Sequence, residues 1–400
     1  MSKSPSALEQ AYIVSACRTP VGSFLGGLSS KTATEMGAIV IAEAVKRSGV
    51  AAKDVDEAIM GNVVQAGNGQ APARQAAIHG GLPGSVPALT INKVCGSGLK
   101  AVMLAAQSIR AGDNNCVVAG GMESMSNTPY VLHQAKQGLR FGHKKLEDAM
   151  ILDGLWDSFE NWHMGSAAEY TAEKAKVSRE RQDEFSANSH AKALAAIEGG
   201  KFKDEIVGVS IPQRKGDPVI FDTDECPRPG TTTEKLAKLR PAFQKGGSVT
   251  AGNAPGLNDG ASALVVVSES YMKEKKLTPL ARIVDYATSG VEPKELFFAP
   301  IYAVQNLMAK MDVTIDHFDL IEANEAFAVQ AIADGDALGW DWDRVNVNGG
   351  AVALGHPIGA SGARILTTLI YALKDRGKKT GAATLCLGGG NAVALAVEIV

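Results

Sequence analysis

The hydrophobic and polar positions of the first 120 residues alternate between short apolar runs and longer stretches with helical spacing. Such alternation predicts strands and helices that follow one another in a layered α/β domain. The predicted elements, in chain order, are Ala11 to Ser15, Thr34 to Ser48, Glu57 to Gly61, Ala88 to Ile91, Gly98 to Ala111 and Cys116 to Ala119.

The pattern changes between about Met125 and Gly256. Charged helical stretches such as Arg179 to Ile197 and irregular polar segments such as Arg214 to Thr233 replace the alternation. Long irregular segments within a compact chain often serve as binding loops or lids. We therefore predict an insertion in the first half, which resumes with the apolar strand Ser262 to Val267.

From Leu280 the alternation begins again, so the second half is predicted to repeat the first in outline. A weak internal repeat agrees with this: Ser97-Gly98 and Ser361-Gly362 each open a predicted helix that is followed by a strand and a glycine cluster. The predicted elements of the second half are the strands Ala281 to Tyr286, Leu320 to Ala323 and Ala383 to Leu387, and the helices Ile301 to Lys310, Ala326 to Leu338 and Gly359 to Arg376.

Composition and charge narrow the function classes. The chain has 400 residues, 45% of them hydrophobic and 21% charged, with a net charge of −3. This length favours two domains or two halves sharing an interface. Both signs of charge are mixed along the chain, so we expect neither nucleic-acid nor membrane binding. Because the first residues lack the apolar core of a secretory signal, a cytoplasmic protein is expected.

Five scattered cysteines without a Cys-x-x-Cys pair indicate a reducing compartment and no structural zinc or other metal site. The glycine-rich stretches match neither a phosphate loop nor a dinucleotide motif. We therefore expect no bound nucleoside triphosphate or nicotinamide.

Cys95 stands between a predicted strand and a predicted helix, among Gly96 and Gly98. Amides freed at the start of this helix would favour the thiolate and could hold an oxyanion. The alternative is a buried cysteine that packs as a small hydrophobic side chain. The glycines allow close approach of a substrate and favour a nucleophile.

Three further residues are candidates for chemistry. His356, in Gly-His-Pro-Ile-Gly, has a near-neutral ordinary pKa that suits a base for a thiol. Cys386 ends an apolar strand at Gly388-Gly389-Gly390 and repeats the setting of Cys95. Asn324 directly follows the strand Leu320 to Ala323, where it is either an N-cap or a site residue.

The ordered set of motifs resembles the thiolase family, in particular its short-chain acetyl-CoA acetyltransferases, over essentially the whole chain. The resemblance is carried by Asn92-Lys93-Val94-Cys95-Gly96-Ser97-Gly98, Gly120-Gly121-Met122-Glu123-Ser124-Met125, His163-Met164-Gly165, Asn253-Ala254-Pro255-Gly256-Leu257-Asn258-Asp259-Gly260, Asn324-Glu325-Ala326-Phe327, Gly355-His356-Pro357-Ile358-Gly359 and Cys386-Leu387-Gly388-Gly389-Gly390.

The resemblance implies an α/β thiolase fold with duplicated βαβαβαββ halves in a five-layer αβαβα arrangement. Residues 1–125 with 257–278 would form the N-terminal half, and 279–400 the C-terminal half. Residues 126–256 would be an inserted loop domain that binds coenzyme A and forms tetramer contacts.

The resemblance also implies a reversible Claisen condensation of two acetyl-CoA molecules to acetoacetyl-CoA and coenzyme A. Cys95 would carry the acyl group, activated by His356, and Cys386 would deprotonate the second acetyl-CoA. One oxyanion site would consist of His356 and a water held by Asn324, and the other of the amides of Cys95 and Gly388. Coenzyme A and acyl-CoA are then substrates, and no permanently bound cofactor is expected.

The implied coenzyme A contacts are His163, Arg228, Phe243, Ala254, Pro255 and Phe327. Pro255 is a departure from the family, because relatives carry a serine that bonds the pantetheine arm and proline offers neither hydroxyl nor N–H. Lys235 also replaces a usual serine near the diphosphate path. The segment Leu296-Phe297-Phe298-Ala299 is bulkier than its counterpart in close relatives, which predicts an altered acyl pocket.

Two other functions stay open at this point. A degradative 3-ketoacyl-CoA thiolase of broader chain length would use the same residues, although His163-Met164-Gly165 favours the short-chain type. A catalytically silent acyl-CoA-binding scaffold is compatible with Pro255, although all four proposed catalytic side chains argue against it.

By resemblance the protein is a homotetramer, a dimer of dimers, with Val131 to Trp162 at the tetramer contact. The apolar residues of this segment would otherwise form the core of the insertion. They are Leu139, Phe141, Ile151, Leu155 and Trp156.

Overall fold

The computed structural model describes residues 9–400. The first half begins with alternating strands and helices, as its pattern predicts. The elements are β1 (Ala11–Arg18), β2 (Gly22–Ser23), α1 (Ala33–Ser48), β3 (Glu57–Gly61), α2 (Pro72–His79), β4 (Ala88–Ile91), α3 (Ser97–Ala111) and β5 (Cys116–Ser124).

Shorter strands and mostly polar helices follow between β5 and the return of the chain to the first half. These elements are β6 (Tyr130–Val131), β7 (Glu147–Asp148), β8 (Trp156–Asp157), β9 (Trp162–His163), α4 (Met164–Ala175), α5 (Arg179–Glu198), β10 (Val209–Ile211), β11 (Val219–Phe221) and α6 (Thr233–Leu236). The first half then closes with β12 (Asn258–Ser268) and α7 (Glu269–Lys275).

The second half repeats the order of the first. Its elements are β13 (Ala281–Gly290), α8 (Ala299–Met311), β14 (Leu320–Ala323), α9 (Ala328–Leu338), α10 (Ala351–Leu354), α11 (Ile358–Asp375), β15 (Thr380–Leu387) and β16 (Asn391–Ile399). The counterpart of β4 is reduced to one bridge between Val345 and Ile321. Strand β16 and helices α2 and α4 have no counterpart among the elements predicted from the sequence.

The strands of both halves join in one large sheet. Its order is β14-β15-β16-β13-β1-β12-β5-β3-β4, with β2 paired to β12. The two halves meet where β1 and β13 run antiparallel over three residue pairs, from Ala11 opposite Ile283 to Ile13 opposite Ala281. The pairing is parallel where helices cross between strands, as in β3 with β5 and β14 with β15.

Three hydrophobic clusters show how helices and strands are layered. Helices α1 and α2 cover one face of the first-half strands. Helices α3 and α11 lie between the opposite face of those strands and the strands of the second half. Helix α8 covers the outer face of the second half. The layers therefore follow the predicted order αβαβα, with two helices buried at the centre.

The central helices approach closely because of glycine. A Cβ on Gly98 of α3 would lie 2.7 Å from the backbone nitrogen of Ala363 in α11. The carboxylate of Glu123, at the end of β5, accepts hydrogen bonds from the N–H groups of Val63, Val64 and Gly359. These contacts fix the start of α11 next to the loop that follows β3.

The five apolar residues singled out between Val131 and Trp162 do not together form a core. Leu139 is 63% exposed, and Phe141, Ile151 and Trp156 are also exposed. Of the five, Leu155 alone packs partly against a buried cluster, to which Ala149 and Met150 of the same segment belong. The division into 1–125 with 257–278, 126–256 and 279–400 stays a prediction.

Within residues 9–400, no helix is long and apolar enough to cross a membrane. The same part of the chain contains no group of three or more His, Cys, Asp and Glu side chains placed to hold a metal ion.

Candidate active site

Cys95 lies in a tight turn between β4 and α3. Val94 has a φ of 46°, a left-handed conformation that a β-branched residue rarely adopts. The turn is held by Ser97 Oγ, which accepts from Lys93 N at 2.8 Å and donates to the Val94 carbonyl at 2.7 Å. Strain of this kind is typical of functional turns. A side chain on Gly96 would collide with Leu387, so only glycine fits after the thiol.

His356 is buried at the start of α11, and its ring is held on both sides. Ser361 Oγ lies 2.6 Å from Nδ1 and donates to the Pro357 carbonyl at 2.9 Å. Because the serine proton is used there, its lone pair accepts the Nδ1 proton, and Nε2 is left as an acceptor. Asn324 Nδ2 lies 3.4 Å from Nε2. The backbone N–H of His356 donates to Asn258 Oδ1 at 2.8 Å.

Asn324 lies beside the His356 ring and is not the N-cap of a helix. Helix α9 begins at Ala328, with Phe327 at its N-cap, so the prediction of a helix from Ala326 and of a cap at Asn324 is wrong. Parallel pairing of β14 with β15 holds the Asn324 N–H on the Thr384 carbonyl at 3.0 Å. Asn324 Oδ1 is buried without a hydrogen-bond partner among the described residues, and it can accept one.

Cys386 stands near the end of β15 and is 1% exposed. The turn to β16 follows at once, with Gly389 and Gly390 at positive φ. This turn brings the N–H of Gly388 to the sulfur of Cys95. The two thiols also interact electrostatically, since charge on Cys95 raises the pKa of Cys386. Two cysteines nearly 300 residues apart in the chain thus line the same cavity.

The pKa values differ from what the local sequence predicts. Burial raises the pKa of the Cys95 thiol to about 12, although the N–H groups of Cys95 and Gly388 lower it. The expectation of a thiolate favoured by the helix start is therefore wrong for the resting site. Burial, assisted by the Arg364 charge, lowers the pKa of His356 to about 3. Burial also raises the pKa of Cys386. All three groups are neutral at rest.

The three side chains share one cavity of about 300 Å³. Its wall is mostly apolar and includes the Gly388 turn. The predicted coenzyme A contacts that line it are His163, Phe243, Ala254, Pro255 and Phe327. His163 Nδ1 accepts the N–H of Gly165 at 3.0 Å, and its ring stacks on Phe243 with 4.9 Å between centroids.

Arg228 lies outside this cavity. It lines a second cavity of about 410 Å³, where its N–H donates to His190 Nδ1 at 3.1 Å. The two cavities share Ala254, Gly256 and Leu257 in their walls. Lys235 is exposed and donates to the Gly230 carbonyl at 2.6 Å. Arg228 is thus separated from the thiols by the 254–257 segment.

Sequence reasoning missed residues whose role depends on packing. The sequence marks Ser361 only as the start of a helix, yet its side chain orients the His356 ring. A serine in the first helical turn after a histidine is the sequence signal that could have revealed this role. Met125, Met150, Leu155, Leu257 and Ile358 line the catalytic cavity and carry no chemical signal of their own. Leu296 and Phe297, singled out for their bulk, do line it.

Comparisons with known proteins agree over the whole chain. Family models described as thiolase, N-terminal domain, and thiolase, C-terminal domain, match residues 11–270 and 277–399. An acetyl-CoA acetyltransferase of Pseudomonas aeruginosa is 57% identical, with 97% of this chain and 99% of that protein covered. One from Cupriavidus necator is 56% identical, with 98% and 100% covered. The crystal structure of the Bacillus anthracis acetyl-CoA acetyltransferase superposes with a TM-score of 0.96 at 46% identity, covering 98% of this chain and all of that one.

Proposed function

This chain belongs to the thiolase family and has its fold, and from that premise we propose how it acts as an acetyl-CoA C-acetyltransferase. The reaction is the reversible condensation of two acetyl-CoA molecules to acetoacetyl-CoA and coenzyme A. The observation that carries the proposal is the convergence of Cys95, His356 and Cys386 on one apolar cavity.

In the first half-reaction the Cys95 sulfur attacks the thioester carbonyl while its proton passes to His356 Nε2. Burial disfavours the free thiolate, so attack and proton transfer must be coupled. The negative oxygen of the tetrahedral intermediate is stabilised by the N–H groups of Cys95 and Gly388, the same groups that lower the pKa of the Cys95 thiol. The carbon–sulfur bond to coenzyme A then breaks, and the leaving thiolate takes the proton from His356.

In the second half-reaction the proton of Cys386 passes to His356 Nε2, and the resulting Cys386 thiolate removes a methyl proton from a second acetyl-CoA. The enolate oxygen is stabilised by the protonated Nε2 of His356 and by a water on Asn324, whose buried Oδ1 is free to accept a hydrogen bond from that water. The enolate carbon attacks the acetyl carbonyl on Cys95, and the carbon–sulfur bond to Cys95 breaks. His356 then returns its proton to the Cys95 thiolate, and Cys386 keeps the methyl proton, which restores both thiols.

The coenzyme A path follows the two joined cavities. The pantetheine arm would pass His163, Phe243 and Phe327 and then the Ala254-Pro255 segment, and the nucleotide would occupy the Arg228 cavity. Pro255 donates no hydrogen bond to the arm, so apolar contact replaces that bond.

The direct test is loss of acetoacetyl-CoA absorbance on addition of coenzyme A to the purified protein. Cleavage is expected. Cleavage of longer 3-ketoacyl thioesters alone would favour a degradative thiolase, and failure with every chain length would favour a silent acyl-CoA-binding scaffold.

We expect Phe297 to limit acyl chain length. It is 2% exposed in the cavity wall, and its ring packs on Phe327 with 5.4 Å between centroids. Phe297→Ala should raise the ratio of kcat/KM for six-carbon over four-carbon 3-ketoacyl-CoA by about 10-fold or more, because each accommodated methylene is worth roughly 1–3 kcal/mol. Phe298→Ala is the control, since Phe298 lies under Lys174 and not in the cavity wall. Equal turnover at all lengths by the unchanged protein would contradict the expectation.

We also propose a homotetramer in the cytoplasm. The exposed apolar residues of the 131–162 segment, led by Leu139 and Phe141, support a protein interface there. All five cysteines are free thiols, which suits a reducing compartment. Sedimentation at micromolar concentration should give a tetramer, and a stable monomer would refute the assembly.

A further inference from the structure

Two buried side chains of opposite charge, Glu322 and Arg364, lie together without a protein hydrogen-bond partner. Each is 2% exposed. Arg364 Nη1 is 3.8 Å from Glu322 Oε2, too far for a direct hydrogen bond. Both carboxylate oxygens and all three guanidinium nitrogens are unpaired within the described part of the chain. Since buried polar groups are nearly always satisfied, five unpaired atoms at one place indicate partners other than protein atoms.

The surrounding buried charges cannot supply those partners. Arg18 donates to Glu205 and Asp224 at 2.6 to 2.8 Å. Glu325 accepts from Asn346 at 2.9 Å and from two further donors. Water is the small molecule that can donate to a carboxylate and accept from a guanidinium at the same time, and buried waters typically make about three such bonds.

Glu322 and Arg364 connect the end of β14 with the start of α11, where Asn324 and His356 also meet. Glu322 and Asn324 are two residues apart at the end of β14, so their side chains leave the strand on the same side. Ser361 and Arg364 are three residues apart on α11, on one helix face, and Ser361 holds the His356 ring. The contact between Glu322 and Arg364 therefore lies parallel to the contact between Asn324 and His356.

The charges of Glu322 and Arg364 affect the protonation of His356. The positive charge of Arg364 opposes protonation of His356, whose pKa is lowered by burial first and by Arg364 second. His356 must nevertheless carry the Cys95 proton during attack. Burial raises the pKa of Glu322 to about 8, although the Arg364 charge lowers it. In its ionised form the Glu322 carboxylate offsets the Arg364 charge and thereby eases formation of the imidazolium.

We infer that Glu322 and Arg364 form a water-bridged ion pair that positions Asn324 against His356 and balances the charge behind the imidazole. The inference rests on the proposed function. Neither residue contacts the cavity, so both act through the catalytic residues as positioning residues.

The kinetic test uses Glu322→Gln, Arg364→Met and the double variant in acetoacetyl-CoA thiolysis. Glu322→Gln leaves the Arg364 charge uncompensated, so kcat should fall about 10- to 100-fold with little change in KM, the scale of a small misplacement of catalytic groups. The double variant removes both charges, so its kcat should be about tenfold higher than that of Glu322→Gln. A double variant as slow as Glu322→Gln, or a Glu322→Gln variant with unchanged kcat, overturns the role.

Thr367→Val is the matched control. Thr367 is buried on the same helix and bonds Ser262 at 3.0 Å, away from the pair. It should lower the melting temperature without changing kcat. Arg364→Lys keeps the charge and provides a milder variant if Glu322→Gln does not fold; it should retain about tenfold more kcat than Arg364→Met, and equal losses in the two would count against the role.

A crystal structure of the unchanged protein tests the bridge independently of activity. Ordered waters bonded to both Glu322 and Arg364 are expected. A direct contact shorter than about 3.2 Å with no water between the groups would overturn the bridge. An inert protein that shows these waters would refute the proposed function and the positioning role, but leave the bridge itself standing.

Discussion

Replacing Cys95 by alanine is expected to lower acetoacetyl-CoA thiolysis by about 10⁴- to 10⁶-fold, the scale seen when a catalytic nucleophile is removed. The acyl-enzyme cannot form without the sulfur. The neighbours of Cys95 in the turn, Val94 and Gly96, have no nucleophilic side chain that could replace it. Cys386 does not substitute for it, because in our proposal Cys386, near the end of β15, faces the substrate methyl group and not the thioester carbonyl.

Cys116→Ala is the matched control for this loss. Cys116 is fully buried against the α1 face of the sheet and lies outside the catalytic cavity. Its removal should cost stability through lost packing but leave kcat within about twofold of the unchanged protein. Intact-protein mass spectrometry after incubation with acetyl-CoA should show one acetyl group on the unchanged protein and none on Cys95→Ala. An acetylated and active Cys95→Ala variant would contradict the assignment.

Cys386→Ser is expected to separate the two half-reactions. Serine keeps the shape of the side chain but is a far weaker acid than a thiol, so proton transfer to and from the substrate carbon should slow by about 10²- to 10⁴-fold. Thiolysis and condensation should fall by that factor, whereas acetyl transfer from acetyl-CoA to Cys95 needs only Cys95 and His356. The acetylated protein should therefore accumulate.

Hydrogen exchange gives a second readout for this variant. The unchanged protein should exchange methyl protons of acetyl-CoA for deuterium from heavy water, and Cys386→Ser should not. The double variant Cys95→Ala with Cys386→Ser is the control that should show neither acetylation nor exchange. Loss of acetylation in Cys386→Ser alone would mean that Cys386 also supports the first half-reaction.

The two predictions depend on one cavity that no single segment of the chain encodes. Its wall contains Phe327 from the second half, Ala254 from the predicted insertion and Gly388 from the β15–β16 turn. These residues meet because α3 and α11 pack together and join the two halves. The apolar lining accounts for both the high pKa of the thiols and the low pKa of His356, since each charged form would have to be desolvated.

Much of the architecture was readable from the order of residues alone. Strands such as Glu57–Gly61 and Ala88–Ile91 and helices such as Ala33–Ser48 were predicted within a residue or two, because periodicity and capping are local. The Cys95 turn was also recognisable, because the two glycines that follow the thiol, Gly96 and Gly98, allow a substrate to approach it closely. Strand β16 was missed because a continuous run of apolar residues has no period that separates strand from helix.

The order of residues alone is enough to predict most of the elements, the duplicated order of the halves and the chemical identity of Cys95, Cys386 and His356. Folding is needed to show that Asn324 reaches His356 instead of capping α9, that Arg228 belongs to a second cavity, and that the resting thiols are neutral. The physical reason is that periodicity depends on neighbours in the chain, whereas desolvation and contact between side chains depend on groups that folding brings from hundreds of residues away.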